Sequence, residues 1–172
     1  MKILKGVLRA IDVLSEVSGK SVSWLLGILV IVVVYDVVAR YVFNRPTNWG
    51  FETAIWLAGV CMVIATAWTH KTGGHVEVDV LALLFPPRVR LGLNLVLCLV
   101  LCLPWVTALI IGGTEALRYS LELQEHTATP LAPPLALFKI VLPIGFSLLW
   151  LQCLAKFIRD LLTLMKGKTD GV

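Results

Sequence analysis

Four apolar runs, at 21–43, 49–69, 91–111 and 135–155, constrain this chain more than any other feature of it. A helix rises about 1.5 Å per residue, so each run is roughly 30 to 35 Å long, enough to cross a bilayer's hydrocarbon core. In lipid the backbone must satisfy its own hydrogen bonds, and within one segment only a helix does so. Charges inside the runs are few: Asp36 and Arg40 in the first, Glu52 near the start of the second, none in the third and Lys139 near the start of the fourth. Residues of the hydrophobic class make up 58% of the chain and charged residues only 15%, where soluble domains carry roughly 25% charge. With a mean hydropathy of +0.88 the chain lacks the charge to clothe a water-facing surface. The expected fold class is all-α integral membrane, four transmembrane helices in a single domain over 1–172. A soluble enzyme, a disordered tail and a zinc scaffold are all disfavoured.

Two further segments read as amphipathic helices lying at the interface. Residues 1–20 spread Lys2, Lys5, Arg9, Asp12 and Glu16 along their length, so no compact apolar core of a cleavable signal peptide forms. Ile3, Leu4, Val7, Leu8, Ile11 and Leu14 gather on one side of a helical wheel and the charges on the other. The link 70–90 opens with Gly73-Gly74 and closes at Pro86-Pro87, and its apolar stretch is too short to span. A second surface-lying segment at about 75–86 is therefore expected.

Basic residues choose the orientation. Lys2, Lys5, Arg9 and Lys20 precede the first span, Lys71, Arg88 and Arg90 separate the second from the third, and Lys156, Arg159, Lys166 and Lys168 follow the fourth. The opposite side holds Arg45 and Arg118, with Arg40 and Lys139 at its membrane edge. The positive-inside rule then puts both termini in the cytoplasm. Membrane lipids account for the net charge of +4, and no nucleic-acid partner is needed to explain it.

Few residues invite chemistry. Asp36 and Arg40 share a helical face four residues apart and suit an intramembrane ion pair, either structural or part of a proton relay. Glu52, three positions past Trp49, suits the start of a helix or a partner-binding charge. Ala54, Ala58, Cys61 and Ala65 form a small-residue face on span two, on which another helix, internal or from another chain, can approach closely. Pro104 and Pro143 with Gly145 interrupt spans three and four and permit kinks. His75 and Asp79 lie four apart, too few for a metal site, and anchoring of the surface segment is the plainer role. The cysteines Cys61, Cys98, Cys102 and Cys153 lack acid or histidine companions, and the histidines all lie in links, where they cannot ligate a buried haem. Hydrolase and ATP-binding motifs are absent, so no catalytic residue, metal or cofactor is assigned to this chain.

Taken in order, Arg40-Tyr41-Val42-Phe43, Asn48-Trp49 with Glu52, Gly74 to Asp79 and Pro87-Arg88-Val89-Arg90 carry a resemblance to a known family, with Thr129-Pro130, Pro134, Pro143, Gly145 and Gln152 following. The chain resembles the small membrane subunit (Q-type) of the tripartite ATP-independent periplasmic (TRAP) transporters over nearly its whole length. The resemblance implies a bacterial inner-membrane protein that pairs with a larger, many-helix permease subunit. A periplasmic substrate-binding protein would deliver an organic acid, and sodium, handled elsewhere in the assembled transporter, would drive uptake. On that reading Arg40, Trp49, Glu52 and the Ala54, Ala58, Cys61, Ala65 face serve subunit packing. His75, Asp79, Arg88 and Arg90 anchor the cytoplasmic arm, and Arg45, Glu115, Glu122 and Glu125 are outer charges available for docking. The alternatives are a self-sufficient proton-coupled exporter working as a homodimer around Asp36, and a membrane anchor or assembly factor.

Overall fold

A computed structural model describes residues 2–73, 86–129 and 132–165. They form α1 (Lys2–Tyr41), α2 (Gly50–Lys71), α3 (Pro87–Leu97), a π-helical turn (Cys98–Cys102), α4 (Leu103–Glu122), α5 (Ala136–Lys139) and α6 (Val141–Met165). The rods Lys5–Tyr41, Gly50–Lys71, Val89–Glu122 and Ala136–Met165 are each long and apolar enough to cross a membrane. The protein is thus an all-α, multi-pass membrane protein.

The N-terminal segment is joined directly to the first span, and α1 continues without a break through Lys20. No proline interrupts it, and the hydroxyls of Ser18, Ser21 and Ser23 donate back to the carbonyls of Ser15, Val17 and Gly19. Those serines are satisfied inside the helix instead of capping a new one. At 40 residues α1 is about 60 Å long, roughly twice a hydrocarbon core. Residues 75–85 of the second expected surface segment, His75 and Asp79 among them, lie outside the described residues.

The two interrupting prolines act differently. Upstream of Pro104 the Leu103 N–H reaches back five residues to the Cys98 carbonyl, so the helix widens into a π turn and carries on. Pro104 has no N–H and its ring crowds the carbonyl four residues back, and one extra residue per turn relieves both problems. Pro143 likewise cannot donate to Lys139, and there the rod divides into α5 and α6 at Ile140.

The rods alternate in direction. Lys71 at the end of α2 meets Glu16 of α1, while Thr47 before α2 meets Asp36. Trp150 of α6 donates to Thr107 of α4, and Cys153 lies beside Cys102, so these two are also antiparallel. Phe138 and Gly145 pack on Gly59 and Val63, which sets α5 and α6 parallel to α2 at the centre, flanked by α1 and α4. Many buried positions are small, with Cys61, Ala67, Gly113, Gly145, Cys153 and Ala155 letting helices approach. Trp24 and Met62 by contrast are 82% and 77% exposed, an inversion that suits a lipid solvent.

Candidate functional site

Polar side chains collect at the two ends of the bundle. At one end the Asp36 carboxylate joins three pieces of chain. Its Oδ2 accepts a hydrogen bond from Arg40 Nη2 at 3.0 Å, and its Oδ1 accepts one from the Thr47 hydroxyl. Thr47 Oγ1 in turn accepts from the N–H of Gly50, the first residue of α2, at 3.2 Å. A Cβ on Gly50 would stand 2.8 Å from Asp36 Oδ1, so this close approach needs glycine. Tyr35 and Trp49 stack across the same turn with ring centroids 5.8 Å apart.

Beside this junction Glu52 is buried in the first turn of α2, where the helix dipole favours an acid. Thr129 Oγ1 donates to its Oε2 at 2.6 Å, and Thr127 lies 2.8 Å from Thr129. Glu125 pairs with Lys139 of α5, and its carbonyl accepts the Leu135 N–H at 2.9 Å, so the connection after α4 is clamped to the start of the last rod. The Lys139 ammonium holds the Glu125 carboxyl below its ordinary value of 4.5. A lowered folded-state value means that the pair contributes above the ordinary value and is lost as pH falls through the lowered one. Hydrogen-exchange protection of 123–129 should therefore hold from neutral pH down to that ordinary value, then drop on further acidification. Lys139→Gln should abolish the acid step.

The opposite end is held by a longer-range network. Arg159 of α6 donates to Asp12 at 2.7 Å and to the Leu8 carbonyl at 3.4 Å. Gln152, buried, donates to Asp12 at 3.2 Å and accepts from buried Ser15 at 3.2 Å. Lys71 bridges the Asp12 carbonyl at 3.1 Å and Glu16 at 3.0 Å, and Lys20 completes the cluster on Glu16 at 2.7 Å. Ion pairs and hydrogen bonds thus tie α1, α2 and α6 together where both described chain ends lie.

Several residues singled out in the sequence are used inside the chain. Glu52 accepts from Thr129 through one carboxylate oxygen, Trp49 stacks on Tyr35, and Glu125 pairs with Lys139. The Cys61 thiol points at the Val22 carbonyl, 3.9 Å away, which places that part of the small-residue face against α1. Ala65 is half-buried, Ala58 is exposed, and Ala54 lines a cleft of about 240 Å³ between α1 and α2 together with Asp36 and Arg40. Arg45, Glu115 and Glu122 are exposed, Arg90 is half-buried, and Arg88 lies in the first turn of α3. Sequence reasoning missed Thr47 and the pairing of Asp12 with Arg159, and it had Thr129 only as part of a family motif, with no link to Glu52. Among the described residues no cluster of three histidines, cysteines or acids is arranged to hold a metal.

Comparison with known proteins finds similarity to transporter components. The C4-dicarboxylate TRAP transporter small permease protein DctQ of Vibrio cholerae serotype O1 is 25% identical over 92 residues, 54% of this chain. The matched stretch covers 39% of that relative's own length. A family model described as tripartite ATP-independent periplasmic transporters, DctQ component, matches residues 29–163, most of the chain, from the later part of the first rod into the fourth. The chain therefore belongs to the DctQ family of TRAP transporter small permease components, a family of transporter parts and not of enzymes.

Proposed function

We propose that this chain is the small permease subunit of a sodium-coupled, binding-protein-dependent organic acid uptake system, where it acts as scaffold and docking partner for a large permease subunit. The observation that carries the reading is the distribution of polarity. Acids and bases pair at the two ends, while the interior between them is built from apolar and thiol side chains such as Val22, Cys61, Val106 and Cys153. An organic anion and a sodium ion need a polar path near the bilayer midplane. Among the described residues none crosses the bundle, so solute and sodium belong to the large subunit. The exposed apolar faces of the rods supply packing surface for that partner. Arg45, Glu115 and Glu122, exposed at the Asp36 end, are the charges that meet a periplasmic binding protein. The concentration of lysine and arginine at the other end supports cytoplasmic termini, and membership of the DctQ family supports a bacterial inner membrane.

The exporter alternative needs Asp36 available to bind protons and substrate, whereas both its oxygens are already engaged by Arg40 and Thr47. Gentle extraction at native expression level followed by intact-complex mass spectrometry separates the two. A many-helix permease held one to one is the expected result. A homodimer with no second chain would overturn the scaffold reading.

A further inference from the structure

We propose that the Asp12 end of the bundle binds a two-phosphate anionic phospholipid of the cardiolipin class in the cytoplasmic leaflet. The inference rests on the orientation set by the basic residues and is independent of the transport reading. Where α1 crosses α6 there is a cleft of about 440 Å³ lined by Lys5, Leu8, Arg9 and Asp12 on one side and Arg159 and Leu162 on the other. Asp12 neutralises Arg159 at 2.7 Å. Lys5 and Arg9 are exposed and have no ion-pair partner among the described residues, so the cleft keeps two uncompensated positive charges over an apolar floor of Leu8 and Leu162. The two are four residues apart on one helix, about 6 Å between Cβ atoms, a spacing that places one cation at each phosphate of a two-phosphate headgroup.

A second feature selects a lipid over a free anion. On the other side of Arg9 lies an open apolar stripe of Ala10, Val13, Leu14 and Val17. Val13, Leu14 and Val17 are 53%, 48% and 57% exposed, and the stripe leads along α1 toward the first span. Arg9 borders both the cleft and the stripe, so a phosphate held there leaves its acyl chains lying on the stripe. Basic pockets between helices on the cytoplasmic side suit cardiolipin-type headgroups. Inorganic phosphate would gain nothing from Val13 or Val17.

The test is intact-complex mass spectrometry of the full chain with whatever partners it retains, titrated with cardiolipin, phosphatidylethanolamine and inorganic phosphate. Lys5→Gln/Arg9→Gln is expected to weaken cardiolipin binding roughly 30-fold, while Lys5→Arg/Arg9→Lys keeps it and binding of phosphatidylethanolamine is unchanged. Val13→Ser/Val17→Ser should also weaken cardiolipin, with both cations left in place, so the proposal does not hang on one variant folding. Unchanged cardiolipin affinity in the glutamine variant would overturn the site. Displacement of cardiolipin by millimolar inorganic phosphate, with no effect of the serine variant, would make it a simple anion site and overturn the lipid assignment.

Discussion

Gly145→Leu should unfold or disperse this protein in detergent, with an expected loss of about 3 kcal/mol. Gly145 is buried on α6 against α2. A Cβ there would overlap Val63 Cγ1 and stand 3.0 Å from the Val63 carbonyl oxygen and 3.2 Å from its carbon. The valine side chain can rotate away, but the backbone atoms yield only if α2 moves. Since α2 and α6 form the centre of the bundle, the displacement is passed to α1 and α4. Gly145→Ala should cost less, about 1 to 2 kcal/mol. Thermal unfolding monitored by size-exclusion fluorescence reads both, and Gly112→Ala is the control, because a Cβ there meets nothing within 4 Å. A Tm for Gly145→Leu equal to that of the control would show that the two helices are not in contact as described.

Asp36→Ala should cost about 2 kcal/mol, by removing the acceptor of two donors at once. The Asp36 side chain is 12% exposed and that of Arg40 46%. The stranded guanidinium therefore recovers water on its open side, and the loss falls short of the roughly 3 to 5 kcal/mol of a fully buried broken pair. Thr47 loses its partner too, which loosens the first turn of α2 through the Gly50 N–H. Asp36→Ala/Arg40→Ala should be less destabilised than the sum of the single changes, the signature of a coupled pair. Equal and additive losses would mean that Asp36 and Arg40 do not interact. In an uptake assay Asp36→Asn should lower the amount of assembled complex and leave uptake per complex unchanged, whereas a proton-relaying Asp36 would lose uptake outright.

The exposed charges changed most between sequence and structure. In the sequence Glu115, Glu122 and Glu125 are equivalent outer acids, yet Glu125 is folded onto Lys139 while the other two face outward. Glu52 is equally ambiguous between a partner-facing and an inward acid until Thr129, 77 residues away, is placed against it.

Local physics controls the features that are legible in the chain alone. Backbone groups must be satisfied within a segment in lipid, so run length alone yields four helical rods, and four-residue spacing alone pairs Asp36 with Arg40. The tertiary structure decided whatever depends on the rotation and register of one rod against another. Asp12 meets Arg159 across 147 residues, and no periodicity within either helix says which face of α6 turns toward α1. It also decided how breaks are absorbed. Pro104 announces a lost hydrogen bond but not that a π turn will take it up, and the serines near Lys20 suit a cap as well as a continuous helix until their hydroxyls are seen bonded to the preceding turn. A proline or serine specifies which local bond is missing or available, while packing against neighbouring helices decides which of the locally permitted backbones is kept.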